Sequence, residues 1–300
     1  MKKHPNFLVI GAMKAGTTAF HKYLDQHSEI YMTKKEKEPR YFALSTDKQQ
    51  YTGPQDPAAK CEFKTFDKYQ TLFDEVTDEK AIGESSTIYL SHAQAPKNIH
   101  DFNPDMKLVV ILRDPVDRAF SNFTYTRRDE RESANTIWEA MDAEPKRTAD
   151  GWGPLWHYQR KGLYFEHLSR YFELFPREQM HIILYDDYKK NPQQTLTDTF
   201  AFLGVDTSFT VDFSEKHNVS GVPKNRVVNK FIHNKTIKQV TRTLVPLSIR
   251  SSVKKAINSA NLKKAEPLTK ADETRLYTYF KEDVEQLEQL IGKDLTAWKR

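Results

Sequence analysis

The chain has 300 residues, with 46 Lys or Arg against 41 Asp or Glu, a formal net charge of +5 and a single cysteine. That length can bury a substantial core as one large α/β domain or two small ones. No run of about 18 apolar residues exists to cross a membrane as a helix, and the lone Cys61 excludes an intrachain disulfide and favours a reducing compartment, the cytoplasm.

Met1-Lys2-Lys3-His4-Pro5 is basic, but the apolar stretch behind it is too short for a signal peptide. That stretch, Phe7-Leu8-Val9-Ile10, lacks polar alternation and predicts a strand buried on both faces that stops at Gly11. A loop with Lys14, Gly16, Thr17 and Thr18 follows, then a helical pattern over residues 18–26. Strand, tight turn and helix N-terminus leave backbone N–H groups pointing outward at the positive end of the helix dipole, a place that suits an anion. The nucleotide-binding pattern G-x-x-x-x-G-K-[ST] is not met, because Thr17 follows Gly16 and the lysine lies inside the loop at Lys14. An ordinary strand-to-helix turn is the alternative.

Pro39 restricts Glu38 to extended backbone, so its carboxylate is presented from an irregular segment. Lys34, Lys35, Lys37 and Arg40 surround it and would keep it ionised, although such Lys-Glu runs are commonly plain surface. Residues 45–60 read as a surface loop, and Tyr69, Leu72 and Phe73 as core. A second strand over residues 80–83 leads into Glu84-Ser85-Ser86-Thr87, polar residues placed either for a ligand or as helix caps. A third, Lys107 to Leu112, ends at Arg113, with Asp114 as cap and Pro115 at the first helical position. Arg113 then projects from the carboxyl edge of the sheet, where its fork suits a phosphate, and Ser121 lies two turns into the helix. Salt pairing for Arg113 and helix packing for Ser121 are the alternatives.

Arg127-Arg128-Asp129-Glu130-Arg131-Glu132 reads as a solvated charge run, and Gly151-Trp152-Gly153-Pro154-Leu155-Trp156-His157-Tyr158 as an aromatic loop for packing or for stacking on sugar or adenine. A helix over 163–175, a strand over 181–185 and a helix over 192–203 ended by Gly204 come next. Residues 216–265 hold twelve Lys or Arg and no acid, so they favour anionic partners, and over 235–264 a solvated basic face is an equal reading. A helix over 270–291, begun by Thr269-Lys270-Ala271-Asp272 in the manner of a capping box, closes the chain. The alternation predicts an α/β fold with a P-loop-like central parallel sheet flanked by helices on both faces, in one domain over 1–300.

Two motifs about a hundred residues apart resemble those of the sulfotransferases that use 3′-phosphoadenosine 5′-phosphosulfate (PAPS). Gly11-Ala12-Met13-Lys14-Ala15-Gly16-Thr17-Thr18 resembles that family's 5′-phosphosulfate loop, and Arg113-Asp114-Pro115 with Arg118 and Ser121 its 3′-phosphate motif. Lys37-Glu38-Pro39-Arg40-Tyr41-Phe42 is similar to the Lys-Glu-Pro-His-Phe-Phe segment of the heparan-sulfate and bacterial carbohydrate branch. The resemblance extends through Gly162-Leu163-Tyr164, a strand over 181–187, Phe202-Leu203-Gly204 and Leu295-Thr296-Ala297-Trp298. It implies that Lys14, Ala15, Gly16, Thr17 and Thr18 hold the 5′ end of the donor, that Arg113 and Ser121 hold its 3′-phosphate, and that Glu38 is the base. It also implies that residues 216–265 begin with a segment closing over the nucleotide, where Lys224 and Arg226 are candidate phosphate contacts. Arg40 replaces the usual histidine and Ser85 stands where the animal enzymes often have lysine, so both bear on the acceptor. The disulfide of the secreted animal enzymes cannot form, which points to a bacterial-type relative. The expected partners are PAPS, its product adenosine 3′,5′-bisphosphate (PAP) and a hydroxyl-bearing carbohydrate, with no metal and no nucleic acid; peripheral contact of the basic segment with a membrane or acidic polymer stays open. A small-molecule kinase of the P-loop type and a non-catalytic anion-binding protein are the competing readings.

Overall fold

Strands that are largely apolar suit a sheet covered on both faces, and five of them form one. In the computed structural model, which describes residues 3–45, 51–54, 61–215, 222–224, 262–263 and 266–300, β1 (Phe7–Gly11), β2 (Ile30–Met32), β3 (Ala81–Ser85), β4 (Lys107–Leu112) and β5 (Met180–Leu184) run parallel in the order β2-β3-β1-β4-β5. Every residue of β1 and β3 is buried, and successive side chains point to opposite faces, so neither face of the sheet is open there. Parallel pairing requires crossovers, made by α1 (Thr17–Leu24), α4 (Ala95–Phe102), α5 (Pro115–Arg128) and α8 (Tyr164–Phe172) among other helices. Phe7 faces Gly83 across β1 and β3, and a Cβ on Gly83 would sit 2.5 Å from the Phe7 ring, so glycine is what lets the central pair close.

β1 occupies the middle of the sheet, and the chain fills one side of it before crossing to the other. That reversal places the β1 and β4 carboxyl ends side by side, the crevice where open α/β sheets take ligands. The ladder shifts register as β1 ends, with Val9 opposite Val109 and Gly11 opposite Val110, and Ala12 N–H still donates to the Ile111 carbonyl at 2.7 Å.

Between these elements, α2 (Tyr41–Leu44), α3 (Phe66–Gln70), α6 (Ile137–Asp142) and α7 (Glu144–Ala149) are short. Tyr69, Leu72 and Phe73 are core, as their spacing predicts. Trp156 and Tyr158 are fully buried, with Trp152 edge-on to Trp156 at 5.2 Å, so the aromatic loop serves packing.

Three expectations are corrected. The charge run over 127–132 is not a solvated face: Glu132 is buried, accepts both terminal nitrogens of Arg147 at 2.7 and 2.8 Å, and takes the Tyr158 hydroxyl at 2.6 Å. β5 stops at Leu184, short of residue 187, because α9 (Tyr185–Lys190) starts there with Asp186 and Asp187 in its first turn and Lys189 and Lys190 in its last, charges that suit the helix dipole. α10 (Pro192–Leu203) then ends on left-handed Gly204. The closing helix is two: α11 (Lys270–Tyr277), capped by Thr269, and α12 (Lys281–Ile291). Buried Phe280 marks the break, and the redirected α12 brings the Asp283 carboxylate to the Phe165 and Glu166 amides at 3.1 and 3.2 Å, in the first turn of α8.

Of the basic segment, β6 (Val222–Pro223) and β7 (Leu262–Lys263) pair antiparallel, with β6 against α5. Arg226 and most of residues 235–264 lie outside the described residues. No helix among the described residues is long and apolar enough to cross a membrane.

Candidate active site

The turn from β1 to α1 is built to leave amides open. Lys14 and Gly16 both take left-handed backbone, at φ 72° and 83°. Gly16 is the N-cap of α1, yet no side chain accepts from the helix's first amides and no acidic residue stands in its first turn. Backbone N–H groups at Thr17 and Thr18 are therefore in the arrangement that binds an anion. A Cβ at Gly16 would meet the Tyr185 ring at 3.1 Å as well as adopting a conformation side chains disfavour, so glycine is doubly required. Ala15 and Thr17 are buried and Thr18 is half-buried.

The neighbouring turn, β4 to α5, takes the opposite course. Asp114 Oδ1 accepts from the Val116 and Asp117 amides at 2.8 and 3.2 Å, and its other oxygen pairs with the C-terminal Arg300. Burial pushes the Asp114 carboxyl up to about 6, against the pull of Arg300. With its amides taken, this turn offers side chains instead. Arg113 donates from Nη1 to the Lys14 carbonyl at 3.2 Å, which physically joins the two turns, and its guanidinium lies over the Tyr185 ring at 5.1 Å. Its only carboxylate neighbour among the described residues, Asp117, is 3.6 Å away, and its buried Nε has no hydrogen-bond partner there. Ser121 is half-buried two turns along α5.

A carboxylate approaches from the other side of β1. The Lys37 carbonyl accepts from Ser85 N–H at 3.2 Å and so pins the Glu38 segment to the end of β3. Lys37 Nζ donates to Glu38 Oε1 at 3.0 Å and to Thr17 Oγ1 at 3.3 Å, linking carboxylate and anion loop through one ammonium. Thr87 Oγ1 donates to Glu38 Oε2 at 3.2 Å, and Arg40 lies 3.8 Å from it. Burial raises the Glu38 carboxyl, but Lys37, Arg40 and the two hydrogen bonds outweigh that and hold it below its ordinary value.

Ser85, expected at the acceptor, is instead fully buried with its hydroxyl against His21 Nδ1 at 2.9 Å, because β3 continues two residues further than the sequence pattern suggests. Arg40 remains at the cleft, in left-handed backbone at φ 59° and held by a hydrogen bond from its N–H to Ser86 Oγ. Behind it Glu84 is wholly buried and accepts from the Tyr89 hydroxyl at 2.6 Å; burial foremost pushes its carboxyl up to about 8. Lys224 is exposed just after β6, beside the strand that lies on α5.

Lys14 itself sits over the Tyr125 ring at 4.5 Å, and Arg128 over the same ring at 5.0 Å. Burial first, then the charges of Arg128, Arg113 and Arg118, push its ammonium down to about 8, against the opposing pull of Asp129. Lys37 and Thr87 are named in the sequence reading, which passes over Tyr125 and places Arg128 in a solvated charge run. For these last two the signal was present: Ser121, Tyr125 and Arg128 fall at i, i+4 and i+7, one face of α5. Among the described residues no three His, Cys, Asp or Glu side chains gather to hold a metal ion.

A parallel sheet with an uncapped helix after its middle strand and an arginine reaching over from the next defines a P-loop-like α/β protein. The chain belongs to the sulfotransferase domain family, whose model matches residues 4–291. The crystal structure of a sulfotransferase from Alicyclobacillus acidocaldarius is 32% identical, covers 99% of this chain and 100% of its own, and superposes with a TM-score of 0.77. The membrane-associated sulfotransferase kil1 of Dictyostelium discoideum is 24% identical over 77% of this chain, and human heparan sulfate glucosamine 3-O-sulfotransferase 3B1 is 27% identical over 74%. The chain spans 62% and 52% of the lengths of these two relatives.

Proposed function

We propose that this protein transfers the sulfuryl group of PAPS to a hydroxyl of a carbohydrate or glycoconjugate and releases PAP. The observation that carries this reading is the Arg113 to Lys14 hydrogen bond, which joins the two turns and supports their holding opposite ends of one doubly phosphorylated nucleotide. Arg113 Nε, without a partner among the described residues, and the acid-free first turn of α1 are donors that suit anions, and they fit a 3′-phosphate and a 5′-phosphosulfate respectively.

PAPS supplies the sulfuryl group already activated, so the residues have to position two oxygens in line and manage charge. The amides and hydroxyls of Thr17 and Thr18 hold the 5′-phosphate, while Arg113 and Ser121 hold the 3′-phosphate. Lys14 faces the oxygen between phosphorus and sulfur, which keeps the electron pair as that S–O bond breaks. Glu38, ionised at neutral pH, takes the proton of the acceptor hydroxyl as the new O–S bond forms. Lys37 and Arg40 flank that carboxylate and suit an acceptor carrying acidic groups. The Glu38 segment and the human relative's printed name support a carbohydrate acceptor. One continuous set of buried residues from Phe7 to Trp298 supports a single domain, and a lone free thiol at Cys61 suits the cytoplasm.

Radiolabelled PAPS offered with acidic polysaccharides, neutral oligosaccharides and phenols tests the reading. Label should pass to a carbohydrate, and Glu38→Gln should lower kcat by about 10²–10⁴-fold with PAP affinity unchanged. Transfer only to phenols, or an unimpaired Glu38→Gln, would contradict it.

A further inference from the structure

We propose that Tyr125 is a positioning residue for Lys14, its ring face holding the ammonium in the cleft while Arg128, on the same ring, adds a second positive charge beside it. This rests on the donor reading above and assigns to α5 a role beyond the phosphate contact of Ser121. Tyr125 and Arg128 follow Ser121 at helical spacing, so the face that carries the hydroxyl also carries the ring and the guanidinium.

Among the described residues Lys14 Nζ has no hydrogen bond and no carboxylate partner; the ring is what it touches. The charged groups facing it are Arg128, Arg113 and Arg118, which repel it, and Asp129, which attracts it. Asp129 is already engaged, with Arg128 Nε at 3.1 Å and with the Tyr125 hydroxyl, and these contacts fix the orientation of the ring. An ammonium among guanidiniums keeps its place only through an attraction that does not neutralise it, and the negative face of an aromatic ring provides one. A carboxylate there would cancel the charge the donor needs. The crowding of like charges is relieved when an anion arrives.

Tyr125→Phe, Tyr125→Leu and Arg128→Gln, compared with the unchanged protein, test this by metal-free PAP calorimetry, by sulfate-transfer rates, and by the pH dependence of Lys14 acylation in the ligand-free protein, read by mass spectrometry. All three variants should still bind PAP, Arg128→Gln more weakly than the parent because one of the cations near the anion is gone. Tyr125→Phe should keep kcat, and Tyr125→Leu should lose about tenfold. Arg128→Gln should move the acylation midpoint of Lys14 upward from about 8. Equal losses in Phe and Leu, an unimpaired Leu variant, a Leu variant that loses PAP binding together with rate, or an unmoved midpoint in Arg128→Gln would each overturn the inference. If the unchanged protein fails to bind PAP, the donor reading falls and this goes with it; intact PAP binding with a fully active Tyr125→Leu sinks the positioning role alone.

Discussion

The turns after β1 and β4 share a plan, strand then helix, yet they treat the helix's free amides in opposite ways. At α1 the N-cap is a glycine, with no side chain to accept from the first amides, and the first turn carries no acid. At α5 an aspartate consumes two amides and is itself clasped by Arg300. One turn keeps its backbone available for a ligand, while the other satisfies its backbone internally and reaches out with Arg113. Neighbouring edges of one sheet thus offer two kinds of donor, one made of main chain and one of side chain, and the proposal gives each an anion.

Variants can break that contrast at either end. Lys14→Ala removes the cation of the open turn and should lower kcat by about 10²–10³-fold, as for loss of one transition-state donor, with little effect on the thermal midpoint, since among the described residues the ammonium has no hydrogen-bond or carboxylate partner to lose. Asp114→Ala attacks the closed turn, and urea denaturation should show a loss of about 0.5–2 kcal/mol from the missing cap, with PAP affinity nearly unchanged. If Asp114→Ala abolished PAP binding instead, the closed turn would be serving the ligand directly. The smallest effect concerns protons. Lys14 titrates near 8 in the free protein and an adjoining anion favours its charged form, so PAP binding should take up a proton between pH 8 and the ordinary lysine value of 10.5, and almost none below 7. Calorimetry in buffers of different ionisation enthalpy reads that uptake directly.

The features that were legible in the sequence are local ones. Gly11 to Thr18 and Arg113 to Ser121 announce themselves because strand, turn and cap chemistry are all written within a dozen residues, and the Asp114 cap and Pro115 start appear where their residue types place them. What escaped depends on partners far along the chain. Glu132 looks solvated until Arg147 and Tyr158 arrive, and Ser85 looks like a cleft residue until His21 covers it. The break at Phe280 follows from burial and from the Asp283 contact with α8, neither visible in helical periodicity. Tyr125 and Arg128 sit between these cases: their helical spacing from Ser121 was on display, but the lysine that gives the face its meaning lies 111 residues earlier.

The central claim, one nucleotide shared by two adjoining cradles, is tested most directly by titrating PAP and adenosine 5′-phosphate into the unchanged protein and Arg113→Ala in the presence of a chelator. Losing a charge-assisted contact to the 3′-phosphate should weaken PAP by about 10–100-fold and leave adenosine 5′-phosphate, which lacks that group, unaffected. Equal affinity of both proteins for PAP, or a parallel loss for both ligands, would contradict the account.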